Sequence, residues 1–143
     1  MIDTAVLRNR IEPLGRFDCY SGLWVLCAEW KCRLTCGTLI VSPEFISDGA
    51  SIPRLLWSAV GPRFSADTFP AALAHDCLYA SELVSREQAD REFHRLLRAH
   101  GVCRFRAWLY LRAVRNCGGR VWRRHTPETI AAARLLVRIE GVQ

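Results

Sequence analysis

Ala71-Ala72-Leu73-Ala74-His75-Asp76-Cys77-Leu78-Tyr79 reads as a short apolar helix with a histidine and a carboxylate side by side in its middle. Helical spacing puts His75 and Tyr79 (i, i+4), and Asp76 and Tyr79 (i, i+3), on neighbouring surface, so three polar functions can converge there. Ala71, Ala72 and Ala74 are small enough to let another backbone approach closely. Upstream lies Ser47-Asp48-Gly49-Ala50-Ser51-Ile52-Pro53-Arg54, where Asp48, Ser51 and Arg54 are natural hydrogen-bond partners for a polar centre on a helix.

Working outward, the signals on the C-terminal side are helical. Asp67 or Thr68 caps the central helix, with Pro70 in its first turn, where a missing N–H is no loss. Ser85-Arg86-Glu87-Gln88 has the form of a capping box, followed by Ala89, Phe93, Leu96 and Leu97 on one stripe and closed by Gly101. Phe105, Trp108, Leu109, Leu111 and Val114 predict a further helix ending at Gly118-Gly119. Thr126-Pro127-Glu128 opens a last one running to about Ile139, with Ala131, Leu135 and Val137 among its apolar positions. On the N-terminal side, Ile52-Pro53 suits a helix start and Gly61-Pro62 its end. Before that, Phe17 to Leu26 and Lys31 to Val41 are rich in aromatic and β-branched residues. They predict antiparallel strands with turns near Ser21-Gly22 and Glu29 to Lys31, and Phe45-Ile46 adds a short strand. Residues 1–15 read as an irregular or edge segment.

The expected fold is therefore α+β: a small N-terminal antiparallel β-sheet packed on a C-terminal bundle of four or five helices. At 143 residues the chain is one domain, 1–50 mainly β and 51–143 mainly α. Half of its residues are apolar and five are Trp, which argues against disorder. No stretch reaches the roughly 20 apolar residues that cross a bilayer. The start, Met1-Ile2-Asp3-Thr4, lacks the basic and apolar regions of a signal peptide.

Several blocks, in order, resemble one family: Ser47 to Arg54, Trp57, His75-Asp76 with Leu78-Tyr79, Ala89-Asp90 with Phe93, and Ala113-Val114-Arg115 followed by Gly118. The pattern Asp-Gly-Ala-Ser-(Ile/Val)-Pro, His-Asp-x-Leu-Tyr and Ala-Asp-x-x-Phe is similar to that of the phage and prophage family called domain of unknown function 1353. The resemblance spans roughly residues 14 to 122. It implies a bacteriophage origin and an α+β fold. It implies no particular reaction. Synthesis in the host cytoplasm is the expectation that follows from the start of the chain, and a virion component would begin there too.

Charge is unevenly placed. Residues 1–85 hold seven Lys+Arg against nine acids (7 − 9 = −2), and residues 86–143 hold thirteen Arg against five acids (13 − 5 = +8), giving the net +6. A basic half can face nucleic acid, an acidic protein or an anionic envelope, or be a solvated helical face. Arg104 to Arg124 interleaves Phe105, Trp108, Tyr110 and Trp122 with seven arginines. Helical spacing favours aromatics in the core and arginines in water. Arg112, Arg115, Arg120, Trp122 and Arg123 are the candidate partner-binding residues, since Arg and Trp dominate protein–protein hot spots. Nucleic-acid contact is expected to be weak and non-specific.

The candidate polar centre comprises His75, Asp76, Asp48, Ser51 and Asp90. A histidine oriented by carboxylates can act as general base or metal ligand; the same groups can equally satisfy buried backbone, with Asp90 in the first turn of its helix. HD-type phosphohydrolases need a further histidine upstream, and His75 is the first in the chain. Secreted phospholipases A2 need a glycine-rich calcium loop and a disulfide framework, and Gly49 alone does not make that loop. No G-x-S-x-G elbow, Walker or dinucleotide pattern occurs. Cys19, Cys27, Cys32 and Cys36 fall within 18 residues without a C-x-x-C pair, and strand alternation scatters them. They read as free thiols packed like small apolar residues, so neither metal nor cofactor is expected.

The leading functional reading is a phage-encoded structural or assembly protein, tail-associated. Its polar centre locks sheet to helices, and its arginine-rich half docks other phage proteins. The alternative is a hydrolase acting on cell-envelope or cell-wall material, with His75 as base or ligand, Asp76 and Asp48 orienting it, and Ser51 or Tyr79 positioning substrate. Nucleic-acid binding is a third reading. A structural role requires the polar centre to be buried and mutually satisfied; an enzyme requires it to line an open cleft.

Overall fold

The computed structural model describes residues 12–47 and 65–141. The α+β architecture is present; among the described residues the strands form two three-stranded antiparallel sheets rather than one, with four helices preceding the last strand. The first sheet has the order β1-β2-β5, from β1 (Gly15–Asp18), β2 (Leu23–Leu26) and β5 (Ile46–Ser47). Its hairpin closes through Asp18, whose carboxylate accepts hydrogen bonds from Tyr20 N (3.0 Å) and Ser21 Oγ (2.6 Å), while Gly22 takes a φ of 70°. An aspartate and a glycine are what such a turn needs, one to bond the backbone locally and one to adopt positive φ.

The second sheet has β4 at its centre, flanked by β3 and β6. It contains β3 (Trp30–Leu34), β4 (Gly37–Val41) and β6 (Val137–Glu140). The break expected around Glu29 to Lys31 falls at residues 27–29, since Trp30 and Lys31 already belong to β3. A further reversal at Thr35-Cys36, with Leu34 opposite Gly37, splits the run Lys31 to Val41 into two strands. Trp30, Cys32 and Leu34 point inward and Lys31 and Arg33 outward, so alternation governs this strand. Gly37 has a φ of 147° and lies against the Glu140 carbonyl, where a Cβ has no room.

The helices are α1 (Phe69–Ser81), α2 (Arg86–Ala99), α3 (Arg104–Arg123) and α4 (Pro127–Leu136). Pro70 sits in the first turn of α1 after the N-cap Thr68, Ser85 caps α2 by accepting from Gln88 N (3.2 Å), and Gly101 follows the end of α2 with a φ of 87°. Thr126 and Thr129 form a reciprocal capping box at the start of α4. Two boundaries differ from expectation. α3 continues through Gly118-Gly119 to Arg123, and the last helix stops at Leu136, where the chain turns into β6 instead of continuing to Ile139. β6 pairs with β4 from Thr38↔Glu140 to Val41↔Val137, so the β-branched Val137 and Ile139 complete a sheet begun a hundred residues earlier. The expected helix from Ile52-Pro53 lies outside the described residues.

α1 is the hub. Eleven of its 13 residues are buried, only Asp76 and Ala80 being partly open. Phe69 meets Trp24 of the first sheet edge-on, with ring centroids 4.8 Å apart. α2 and α4 pack on α1, and α3 packs on α2. No described helix is long and apolar enough to cross a membrane.

All seven cysteines are free; Cys32 and Cys77 are buried, whereas Cys19, Cys27, Cys36, Cys103 and Cys117 are exposed. Packing as a small apolar residue thus describes Cys32 alone among the four N-terminal ones. Burial pushes the Cys32 thiol up from 9.0 to about 11. A raised pKa contributes stability that is intact below the unfolded value and lost as pH rises to the folded one. Stability should therefore fall between pH 9.0 and about 11. The share due to this thiol is on the order of 2 kcal/mol. Urea titrations across that range should show a shallower alkaline decline for Cys32→Ala than for the wild type; parallel curves would contradict it.

Candidate functional site

His75 and Asp76 are adjacent in sequence, and the helix turns them to different partners. His75 Nε2 donates to Asp90 Oδ1 at 2.8 Å, and the Tyr79 hydroxyl donates to the same oxygen at 2.7 Å. His75 and Tyr79 are one helical turn apart on α1, so a single carboxylate from α2 can take both. His75 is 8% exposed, Tyr79 5% and Asp90 2%. The imidazole lies between the rings of Tyr79 (4.1 Å between centroids) and Phe93 (4.8 Å). Asp90 is the fifth residue of α2, one position past the first turn where it was expected, and it meets α1 there.

Arg86, one helical turn before Asp90, extends the centre. Its Nε donates to the Tyr79 hydroxyl at 3.4 Å and its Nη2 to the Arg115 carbonyl of α3 at 2.5 Å. Burial and then the hydrogen bond to Asp90 raise the Tyr79 pKa well above the usual phenol range, with Arg86 opposing. Gly118 explains why α3 carries glycine in its interior: a Cβ there would strike the Tyr79 hydroxyl, whereas one on Gly119 would make only ordinary contact with Arg86 Nη1 at 3.4 Å. Of the glycine pair that resembles a helix terminus, Gly118 is a close-approach site.

Asp76 faces the first sheet. Ser47 Oγ donates to its Oδ2 at 2.6 Å, tying β5 to α1. Both residues engage further groups as well. Asp48 and Ser51 lie outside the described residues. His75, Asp90 and Tyr79 therefore come together, and Asp76 does not join them.

Two polar clusters were not anticipated. Glu92 is 3% exposed and accepts from Thr35 N (3.1 Å), from the Thr35 hydroxyl and from Arg95 Nε (2.9 Å), while Arg95 Nη2 donates to the Arg33 carbonyl (2.7 Å). This clamps α2 to the β3–β4 turn. The available signal was a carboxylate on the same stripe as Ala89, Phe93 and Leu96, where an apolar residue is due. At the other end of α1, Arg134 donates to the Ser81 (2.8 Å) and Glu82 (3.1 Å) carbonyls, and His125 Nδ1 lies 3.0 Å from Glu82 Oε1. Among the described residues no group of three or more His, Cys, Asp and Glu converges as metal ligands would.

Of the candidate docking residues, Arg112, Arg115, Arg120 and Arg123 are exposed, whereas Trp122 is turned inward, edge-on to Tyr79 at 5.2 Å. Phe105 (66%) and Trp108 (50%) are exposed rather than in the core. Tyr110 alone of the four aromatics on this segment is fully buried, edge-on to Phe93.

Fold and site define a small α+β protein built around a buried histidine–carboxylate–tyrosine tie between two helices. The chain belongs to the family described as protein of unknown function (DUF1353), whose model matches residues 24–114. No curated protein and no solved structure matches the chain.

Removing Asp90 strands His75 and Tyr79, and removing His75 strands one acceptor site; each loss should cost about 1–3 kcal/mol. Thermal melts of His75→Ala, Asp90→Ala and the double variant should show both singles destabilised and the double losing less than their sum. Additive losses would separate the two residues. Gly118→Ala should lower the melting point, and by less in a Tyr79→Phe background, where the obstructing hydroxyl is gone. Equal losses in both backgrounds would refute the close-approach account.

Proposed function

We propose that the chain is a bacteriophage-encoded structural or assembly protein, tail-associated, which docks another component of the particle through its arginine-rich helical half. The observation that carries this reading is the outer face of α3. Arg104, Arg112, Arg115, Arg120 and Arg123 are all exposed there, Phe105 and Trp108 stand among them, and the helix contains no acid. Exposed large aromatics flanked by arginines are what anchors a partner. The polar centre supports the same reading from the other side. His75, Asp90 and Tyr79 are buried and hydrogen-bonded to one another, with Arg86 on the Tyr79 hydroxyl, which ties helix to helix, while Asp76 and Ser47 tie α1 to the first sheet.

The test uses particles assembled in a host that carries the encoding element. Trp108→Ala combined with Arg112→Ala should leave thermal stability unchanged and reduce incorporation of the protein by about tenfold or more. Undiminished incorporation and infectivity would refute the docking role. Cell-wall clearing by the wild type, lost in His75→Gln at unchanged melting temperature, would replace this reading with the hydrolase.

A further inference from the structure

The face of α3 that docks a partner has a chemistry more specific than positive charge. At 100° per residue, Arg104, Phe105, Trp108, Arg112, Arg115 and Arg123 fall on one arc of the helix, and all six are exposed. A helix of 20 residues is about 30 Å long, so this arc is a track and not a spot. Among the described residues no carboxylate pairs with any of its arginines. Arg106, the arginine that leans off the track, is the one taken by an acid, Asp67 at 2.9 Å. Burial, then the charge of Arg98 on the same helix and that of Arg115 on α3, lower the His94 pKa.

The aromatics on the track are arranged as plates. The rings of Phe105 and Trp108 are 24° from parallel with centroids 6.3 Å apart, and the Arg112 guanidinium lies 5.9 Å over the Trp108 ring. Exposed rings in line with arginines suit an anion that itself carries flat rings. An acidic polypeptide matches the arginines but brings no regular series of flat rings to the plates. A duplex would offer phosphates but keep its bases stacked inside.

We propose that the outer face of α3 binds single-stranded nucleic acid, with bases stacking on Phe105 and Trp108 and phosphates held by Arg104, Arg112, Arg115 and Arg123. This rests on the docking reading above and names its partner. It also revises the expectation of weak, non-specific contact, because that expectation placed these aromatics in the core.

Fluorescence anisotropy of a labelled oligothymidylate of about 20 nucleotides, titrated with the full chain between about 50 and 300 mM salt, tests it. Neutralising four or five phosphates predicts a slope of log K against log salt near −3. Trp108→Ala should weaken binding by about 5- to 150-fold without changing that slope. Trp108→Tyr should restore most of the loss, and Arg112→Ala should flatten the slope by about 0.7. Absence of oligothymidylate binding at the lowest salt would overturn the proposal. So would equal affinity for a duplex, or a Trp108→Ala variant that binds normally while polyglutamate displaces the oligonucleotide. If oligothymidylate fails to bind but the Trp108→Ala, Arg112→Ala protein still drops out of particles, the nucleic-acid assignment falls and the docking reading stands; if both fail, both fall.

Discussion

One carboxylate oxygen, Asp90 Oδ1, receives both the His75 imidazole and the Tyr79 hydroxyl, and it does so where almost no water reaches. The need for that bond follows from the position of α1. A helix buried along nearly its whole length can carry polar side chains only if neighbouring elements supply their partners. Most polar groups on α1 accordingly specify a neighbour. His75 and Tyr79 require α2, Asp76 takes Ser47 of β5, and the C-terminal carbonyls take Arg134 of α4. The Ser81 hydroxyl turns back to the Cys77 carbonyl within the helix. A buried polar network of this kind fixes which elements meet and at what angle, beyond what non-directional apolar packing specifies.

The arginines divide into two populations by what they face. Arg86, Arg95, Arg98 and Arg134 point their guanidinium groups at backbone carbonyls and stitch turns and helix ends together. Their flat, multidentate donors suit that task better than a lysine ammonium would. The arginines along the outer arc of α3 meet none of these carbonyl acceptors and stand beside exposed rings instead. A chain with a formal charge of +6 thus uses part of its basicity as mortar and part as surface. The two uses are indistinguishable in composition.

His75 with its carboxylate has the ingredients of a general base, and the same pair serves as an internal tie. What separates the roles is environment. Here the ring is held between Tyr79 and Phe93, and its Nε2 is committed to Asp90. Asp76, the carboxylate adjacent in sequence, looks away toward the first sheet.

Features that depend on a few neighbouring residues were legible without the fold. The Asp18–Gly22 turn, the caps at Ser85 and Thr126, Pro70 in a first turn and the apolar run of α1 are all set within four or five residues by backbone sterics and local hydrogen bonds. The meeting of His75 with Asp90 was also within reach, because two helices joined by a short link place such groups face to face. Other features belong to the tertiary structure alone. Val137 to Glu140 is a strand because β4 offers it an edge, and Gly118 is helical because Tyr79 needs the space. Glu92 is buried because the β3–β4 turn presents Thr35 to it. Phe105 and Trp108 are exposed because α3 turns its opposite side to α2 and to Tyr79 of α1, and those neighbours, not α3 itself, decide which side is packed. Periodicity says that a helix has faces; only long-range packing says which face is left open.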